Sequence, residues 1–501
     1  MVTDPLPPGF RLSLARGVRR PLPTVLLGGS PTRVMRLSAR GTAVLERWLD
    51  GSPVGSDRGE RMMARRLVDS GVADPIPPPL DAQTAGLRCA IAIPVRDDPA
   101  GLEATLRSIS ETAPWAPVVV VDDGSKADAG AAALRVLRRL VSGGPAAARN
   151  TAWRNNVGAD RPDIVVFVDA GVVATPGWIE GLLAHFADPA VGAVAPRVRA
   201  RSGPRSSTSI SMYERHRSPL DMGPDASFVR PASRVPYVPT AALALRMTVL
   251  EEFDGFDETL RFGEDVDLVW RLHEAGWRVR YEPAATVTHP DRETLPAWIR
   301  QRYSYGRSAA PLASRHRSAV APLAVSGWSL GFWWLASLGR LRAASAVAAF
   351  TSVALAAKGT HRREKPARET PARQRALAAE LARLALVANL RSAAPIASAL
   401  RRAWTLPAAV LIALCWPRMR PRSRRFASLF ATAIVVAPGV SDWWRHRQDG
   451  MGPLRWCSMR IADDFAYQAG VWAGSFDSRS AAALAPRFGT AKVTSSAARP
   501  V

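Results

Sequence analysis

The chain has 501 residues, enough for two or three domains with a large buried core. Lysine and arginine total 67 against 43 acidic residues, a formal net charge of +24. This balance fits an anionic membrane surface or an anionic substrate. We expect no nucleic-acid partner, because no recognition motif accompanies the charge. The three cysteines, Cys89, Cys415 and Cys457, are far apart, which argues against a disulfide framework and against a CxxC metal site.

Residues 1–80 predict a small α/β module. A short strand at 34–37 precedes two segments, 43–49 and 62–68, whose apolar residues have helical spacing. This pattern resembles the small winged-helix domains that bind leader peptides of ribosomal peptides, and a packing module is an equally good interpretation. The first eight residues lack the basic and apolar regions of a secretory signal. The proline-rich end of the module predicts a linker.

The next region predicts alternating strands and helices. Apolar, β-branched runs predict strands near 88–95, 117–121 and 164–168. Helices are predicted between and after them, near 100–112, 128–141 and 176–187. This βαβ rhythm predicts a Rossmann-like, mostly parallel sheet flanked by helices. Ligands of such sheets bind beyond the carboxyl ends of the strands, where this chain carries acidic residues.

Residues 316–480 predict an apolar helical region. The uncharged run 321–338 is just long enough for a transmembrane helix. Shorter apolar runs follow, flanked by basic segments, at 343–357, 404–416 and 426–440. We therefore expect peripheral or shallow insertion at the cytoplasmic face of an anionic cell membrane. The last segment, 481–501, predicts a disordered tail.

The acidic strand ends suit transfer from a nucleotide-diphosphate sugar. A carboxylate after the second strand can accept hydrogen bonds from uracil or ribose, and a helix start with an arginine favours diphosphate. A capped strand-to-helix turn and a surface arginine are the alternatives for these two features. The predicted donor-binding residues lie at strand ends or helix starts, or in a basic, aromatic segment: Pro94, Val95, Arg96, Asp98, Asp122, Asp123, Arg149, Asp169 and Arg302.

The predicted catalytic residues are Glu264 and Asp265, at the start of a helix whose dipole stabilises a carboxylate. Asp265 is the expected general base for the acceptor hydroxyl. A pair of helix-capping carboxylates is the alternative. Asp169 and His289 are the expected ligands of a divalent metal, Mg²⁺ or Mn²⁺, although a structural role for the histidine is nearly as good an interpretation.

Six features together resemble the family 2 inverting glycosyltransferases of GT-A fold. They are Ile93–Asp98 (IPVRDD), Val121–Ser125 (VDDGS), Ala148–Asn150 (ARN), the acidic end of the third strand at Asp169, Gly263–Asp267 (GEDVD) and the later His289. The resemblance covers the domain expected at 88–315. It implies a UDP-sugar donor, a divalent metal and inversion at the anomeric carbon.

A longer resemblance, over residues 1 to about 330, is to the mycofactocin system glycosyltransferases. It rests on five segments: 26–33, 144–151, 237–242, 263–268 and 308–312. It implies transfer of glucose, in β-1,4-linked units, onto the precursor of a peptide-derived redox cofactor.

One departure from the family pattern keeps alternatives open. The Asp-x-Asp motif is reduced here to Asp169-Ala170-Gly171. Either Asp169 and His289 suffice for the metal, or metal affinity is weakened. Gly171 also leaves open a non-catalytic binding protein that retains the nucleotide-sugar fold. The C-terminal apolar runs favour a second alternative, a membrane-associated family 2 enzyme acting on a polysaccharide or glycolipid.

Overall fold

The computed structural model describes residues 4–79, 87–126, 135–155, 161–201, 208–292, 294–316, 319–360 and 371–488. They divide into two compact units. Over the described residues, the first comprises those up to 18 and 27–294, and the second comprises 19–26 and 295–488.

The strands and helices are as follows. The strands are β1 Arg11–Leu14, β2 Arg19–Leu22, β3 Val25–Gly28, β4 Arg33–Arg36, β5 Ala73–Ile76, β6 Cys89–Val95, β7 Val118–Asp123, β8 Arg135–Arg139, β9 Ile164–Val168, β10 Val173–Ala174, β11 Val191–Arg201, β12 Ser227–Val229, β13 Ala242–Arg246, β14 Arg278–Pro290, β15 Ala324–Val325 and β16 Arg487–Phe488. The α-helices are α1 Ala39–Leu49, α2 Arg58–Asp69, α3 Pro99–Thr112, α4 Pro145–Arg154, α5 Trp178–Leu183, α6 Ser209–Arg217, α7 Met247–Glu252, α8 Glu264–Ala275, α9 Leu295–Arg307, α10 Ala309–Arg315, α11 Gly327–Ser337, α12 Leu341–Thr360, α13 Pro371–Arg391, α14 Ala393–Arg402, α15 Thr405–Cys415, α16 Pro421–Arg445 and α17 Pro453–Asp477.

A nine-stranded sheet forms the centre of the first unit. Its order is β10-β14-β11-β13-β9-β6-β7-β8, with β12 pairing to β14. Strands β8, β7, β6 and β9 are parallel, as expected from the βαβ rhythm. Strand β13 is antiparallel to both β9 and β11, so the sheet is mixed beyond β9. The valine and isoleucine runs of β6 and β9 are buried against α3 and α5, whose Leu102 and Trp178 join the same core cluster.

The helix predicted at 128–141 is wrong over its described part. Residues 135–139 form the edge strand β8, in which Val136 pairs with Val120 of β7. Residues 127–134 lie outside the described chain. The strand forms because pairing with β7 supplies hydrogen bonds to its backbone and Arg139 forms an ion pair with Asp123. These are tertiary contacts, which local sequence preference does not indicate.

The N-terminal module contains the predicted strand and helices, as β4, α1 and α2. Strand β1 pairs antiparallel with β5, with Leu12 opposite Pro75. Arg65 of α2 makes two hydrogen bonds of 2.7 Å to Asp188, and both side chains are buried. The module is therefore attached through a buried ion pair to the loop that precedes β11 of the nine-stranded sheet.

The second unit is helical and begins earlier than the predicted domain boundary. Helices α9 and α10 belong to it, whereas the sequence predicted that residues up to 315 belong to the preceding domain. At the other end, the first residues of the predicted disordered tail are structured. Strand β16 pairs parallel with β15, and the Leu484 carbonyl accepts a hydrogen bond from the Trp404 indole.

The predicted 18-residue span at 321–338 is not one helix. Ser326 caps α11 by accepting a hydrogen bond from the Ser329 backbone, and the helix has 11 residues. That is about 16 Å, roughly half of a bilayer's hydrocarbon core. Among the described segments, only α16 is long and apolar enough by itself to cross a membrane. A second candidate is the pair Gln374–Arg402 and Thr405–Arg418, bent by 94°.

Helices α9 and α17 approach each other closely at glycines. A β-carbon on Gly306 would collide with the Tyr467 carbonyl, and one on Gly470 would collide with the Tyr303 carbonyl. We expect Gly470→Ala to lower the free energy of unfolding of the second unit by about 1–3 kcal/mol, since backbone must move to admit the methyl group.

Limited proteolysis and thermal unfolding of the full chain would measure this loss. The control is Gly331→Ala in α11, where nothing lies within 4 Å of the added carbon. Equal stability of the two variants would contradict the close approach.

Candidate active site

The carboxyl ends of β6 and β7 lie side by side, with Val95 paired to Asp122. Asp122 is fully buried. Its Oδ1 accepts a hydrogen bond of 2.9 Å from the Ser125 backbone. Its Oδ2 has no hydrogen-bond donor among the described residues, and the nearest cationic group is Arg138 Nε at 3.7 Å. A buried carboxylate oxygen with spare capacity suits the N–H or hydroxyl groups of a ligand.

Asp123 is held by the protein itself. Both carboxylate oxygens accept hydrogen bonds, from Arg139 Nε, Ser142 Oγ and the backbone of Gly143 and Gly144, at 2.7–3.0 Å. These bonds tie β7 to the start of α4. The observed role of Asp123 is to anchor this loop, and its contact with a donor stays a prediction.

The segment after β6 lies at the same edge of the sheet. Pro94 and Val95 end the strand, and the exposed Arg96 donates from Nη1 to Ser142 Oγ at 2.9 Å. Asp98 caps α3 by accepting a backbone N–H at 2.9 Å through Oδ1. The structure thus brings this predicted segment next to Asp122, as the parallel strands require.

Arg149 joins two predicted site residues. Its guanidinium is 3% exposed and donates to Glu264 Oε1 at 2.8 Å and to Asp169 Oδ1 at 2.7 Å. The guanidinium also lies over the Phe256 ring, 5.5 Å from its centroid. Burial disfavours the charge, but the Asp169 and Glu264 carboxylates outweigh it and raise the pKa of Arg149. Arg149 is therefore a fixed cation that holds the two carboxylates in place.

Asp265 lies beside this bridge in the first turn of α8. Its Oδ1 accepts from the Val266 backbone at 2.8 Å, and its Oδ2 accepts from the Thr240 backbone at 3.4 Å. Burial and the Glu264 charge raise the pKa of Asp265 to about 7, against the opposing effects of Arg149 and the two backbone N–H groups. A carboxylate with a pKa near neutrality can take up a proton under working conditions.

Thr240 was not predicted as a site residue. It precedes β13, whose Ala242 pairs with Val168 at the end of β9. The Asp169 backbone donates to the Ala241 carbonyl at 3.0 Å, so the loop before β13 connects Asp169 with Asp265. The sequence signal was present, since Thr240 lies in the segment 237–242 that carries part of the family resemblance.

Gly171 occupies the place of the missing second carboxylate. Its φ of +90° lies in the region that favours glycine, and an added β-carbon would lie 3.0 Å from Pro290 Cγ. Its backbone N–H donates to the Thr105 hydroxyl oxygen at 2.9 Å and to the Gly101 carbonyl. A side chain at this position would strain the backbone, so this chain is built around the glycine.

His289 is close enough to Asp169 for that charge to act on it. Its Nδ1 lies 2.8 Å from the Pro290 carbonyl, which fixes Nδ1 as the donor and leaves Nε2 as the acceptor. Burial lowers the pKa of His289 and so favours the neutral ring. The Asp169 charge acts in the opposite direction but is the weaker effect. No three His, Cys, Asp or Glu side chains form a metal-ligand group in the part of the chain that the structure describes.

Arg302 lies in the second unit. It is buried in α9, where its Nε is 3.1 Å from Asp463 Oδ1 and its guanidinium lies over the Trp298 ring. The sequence predicted a contact with the donor from the surrounding basic and aromatic residues. The structure gives Arg302 an internal ion pair, because α17 supplies an acidic partner far along the chain, and its contact with a donor stays a prediction.

Two sequence comparisons identify the family. A model described as "Glycosyltransferase like family 2" matches residues 87–305. The pre-mycofactocin glycosyltransferase of Mycobacterium tuberculosis (strain H37Rv) is 37% identical over 510 aligned positions, covering 98% of this chain and 100% of the relative. The N-acetylglucosaminyl-diphospho-decaprenol L-rhamnosyltransferase of the same strain is 31% identical over 33% of this chain and 57% of its own length.

Among solved structures, a mannosyltransferase from Pyrobaculum calidifontis in complex with GDP-Man and Mn²⁺ is similar with a TM-score of 0.35 and 18% identity. The similarity covers 72% of this chain and 88% of that one.

The family match and the observed α/β sheet confirm the expected GT-A fold and the enzyme class. The full-length identity shows that the chain belongs to the pre-mycofactocin glycosyltransferases, within glycosyltransferase family 2.

Proposed function

We propose that the enzyme transfers glucose from UDP-glucose, with inversion, onto the precursor of the peptide-derived redox cofactor of the mycofactocin pathway, building β-1,4-linked units. The observation that carries the proposal is the position of Asp265. It has a pKa near 7 and lies beside the Arg149 bridge to Asp169. The name of the full-length relative supports the pathway of the acceptor.

The proposed reaction uses Asp265 as the general base. The acceptor hydroxyl oxygen attacks the anomeric carbon of the sugar, its proton passes to the Asp265 carboxylate, and the bond from the anomeric carbon to the diphosphate breaks. Attack from the side opposite the leaving diphosphate inverts the anomeric configuration. Asp122 Oδ2 is buried and has no hydrogen-bond donor among the residues described. We propose that it accepts a hydrogen bond from the nucleoside of the donor.

A divalent metal fits two residues of the site. Asp169 accepts a hydrogen bond from Arg149 through Oδ1. The Nδ1 of His289 is hydrogen-bonded to the Pro290 carbonyl, and Nε2 would be the atom that binds the metal. This is the usual arrangement of a metal-ligating histidine. Mg²⁺ and Mn²⁺ accept few protein ligands when donor phosphates complete the coordination. The bound metal would neutralise charge on the diphosphate. Arg149 would hold Asp169 oriented for it through the 2.7 Å hydrogen bond to Oδ1.

The N-terminal module is proposed to help recognise the precursor. Support comes from its resemblance to leader-peptide domains and from its attachment to the sheet. Besides Arg65–Asp188, the ion pair of Arg278 with Asp69 joins β14 to α2, at 2.8 Å. These contacts would hold a bound precursor at a fixed place relative to the catalytic sheet.

The test of the proposed function is product analysis after incubation with UDP-glucose, Mn²⁺ and the precursor. We expect UDP release that depends on the precursor, and a product whose glucosyl linkage is β by NMR. Transfer to a glycolipid or polysaccharide but not to the precursor would contradict the acceptor. Absence of UDP-glucose binding in the presence of Mn²⁺ or Mg²⁺ would favour a non-catalytic protein.

The decrease of kcat/KM on the acid side of the pH profile should follow the protonation of Asp265. We expect kcat/KM to fall as the pH decreases through about 7, because the protonated carboxyl cannot accept a proton. Glu264→Gln should move this inflection to lower pH, since the Glu264 charge helps to raise the Asp265 pKa. Steady-state kinetics across the pH range would measure both effects.

The matched control for this shift is Glu274→Gln, which removes one negative charge from the exposed end of the same helix, α8. Its profile should follow that of the native chain. An inflection that stays in place in Glu264→Gln would disprove the assignment.

His289→Gln should weaken metal binding. Loss of one of two protein ligands is expected to raise the Mn²⁺ dissociation constant in the presence of UDP by about 10–100-fold, judged from the size of effects at metal sites. Electron paramagnetic resonance of free Mn²⁺ would measure this without turnover. His273→Gln, at the far end of α8, is the control, and equal Mn²⁺ affinity of the two variants would exclude His289 as a ligand.

A further inference from the structure

Within the described chain, helix α15 is left largely exposed. None of its 11 residues is buried, and Val410, Leu411 and Leu414 are 59%, 63% and 65% exposed. The helix contains no charged residue. A helix that is apolar on all faces requires an apolar surrounding, and an isolated helix of this length is marginal in water. Because no described part of the chain covers it, α15 needs contact with something else.

The segment that follows α15 carries an uncompensated positive charge. Arg418, Arg420, Arg422, Arg424 and Arg425 lie between α15 and the apolar part of α16. No ion pair with an acidic side chain is found for these five in the described chain, and no Asp or Glu occurs from Ala403 to Ser441. The sequence thus combines apolar helices with five cations and no anion.

The neighbouring part of α16 extends the same surface. Leu429 is 68% exposed, and only Gly439 of this 25-residue helix is buried. The start of α16 packs on the end of α11, where the Phe426 ring lies against Gly339. On α11 itself, Trp334 is 64% exposed. Exposed apolar side chains therefore continue from α15 to α16 and α11.

The length of α15 limits how it can meet a membrane. Eleven residues extend about 16 Å, roughly half of the hydrocarbon core of a bilayer. The chain turns by 94° on entering this helix, and Pro417 and the arginines follow it. Trp416, at its carboxyl end, is a side chain typical of the headgroup region. These features suit a helix immersed in one leaflet, with arginines at the lipid phosphates.

We propose that α15, the arginine segment 416–425 and the exposed face of α16 form a surface that inserts into one leaflet of an anionic bilayer, without α15 crossing it. Apolar burial holds α15 among the acyl chains. The five arginines add preference for anionic headgroups, because cationic side chains are attracted to the negative surface potential of such a membrane. The proposal names the residues that would carry the membrane association expected from the sequence.

The experiment is flotation of the full chain with vesicles of phosphatidylcholine alone or mixed with phosphatidylglycerol. We expect binding to the mixed vesicles, weakened by salt. Val410→Gln, Leu411→Gln and Leu414→Gln together should reduce binding at least ten-fold. Because these side chains are exposed, thermal unfolding should be unchanged. The control carries Trp115→Gln and Leu49→Gln, two exposed apolar side chains of the first unit, and should bind as the native chain does.

Arginine substitutions separate the two contributions. Arg418→Gln, Arg420→Gln, Arg422→Gln and Arg425→Gln together should remove the preference for phosphatidylglycerol. The control set Arg40→Gln, Arg58→Gln and Arg66→Gln, on exposed positions of α1 and α2, should keep it. Equal vesicle binding by the native chain and the α15 variant would overturn the proposal. So would binding to nucleic acid but not to vesicles, or an α15-dependent oligomer that ignores vesicles.

Insertion can be distinguished from surface adsorption at Cys415, the exposed last residue of α15. A Cys457→Ser chain leaves Cys89, which is buried, as the second cysteine, so a thiol-reactive fluorophore should label Cys415. On addition of mixed vesicles we expect a blue shift and protection from iodide. Unchanged emission and full iodide access on bound vesicles would contradict insertion.

Discussion

The candidate active site depends on one buried cation, Arg149. Arg149 is almost inaccessible to water, yet it is charged because Asp169 and Glu264 lie on either side of it. Removing the arginine would leave two carboxylates close to Asp265 with nothing to balance them, a costly arrangement in a buried site. The ion pairs therefore link the end of β9 to the start of α8. They fix the distance between the expected metal ligand and the expected base.

A second buried network lies at the carboxyl end of β7, where the nucleoside is proposed to bind. Asp123 draws the Gly143-Gly144 turn against the end of β7, and this turn begins the helix that carries Arg149. Two adjacent aspartates thus differ in role. Both carboxylate oxygens of Asp123 accept hydrogen bonds from the protein. Asp122 keeps one buried oxygen that has no hydrogen-bond donor among the described residues. Tertiary hydrogen bonding, which the Asp-Asp dipeptide does not reveal, separates the anchor from the candidate ligand contact.

The sequence predicted those parts of the fold that local pattern determines. The apolar runs of β6, β7 and β9 are buried on both faces and were recognised for that reason. Strand β8 was missed because its pairing with β7, and not its composition, makes it a strand. The partners of Arg149 could not be predicted, since Glu264 lies 115 residues away along the chain.

The site residues divide in the same way. Residues at strand ends converged as the rules for parallel sheets require, whereas Thr240 reaches Asp265 only because β13 runs antiparallel to β9. Arg302 was predicted from a basic and aromatic sequence context, but its ion pair with Asp463 depends on helix packing within the second unit. Likewise, φ of +90° at Gly171 shows that a side chain there would strain the backbone of this chain, which the motif alone did not indicate.

The most direct test of the account is single-turnover glucosyl transfer by Asp265→Asn beside the native chain, with UDP-glucose affinity measured in parallel. The substitution keeps the size of the side chain and the fold of the Arg149 bridge. The account predicts nearly unchanged donor affinity and a loss of transfer of about 10²–10⁴-fold, the range of general-base catalysis. Transfer at the native rate would contradict the central claim, because it would show that proton removal does not depend on Asp265.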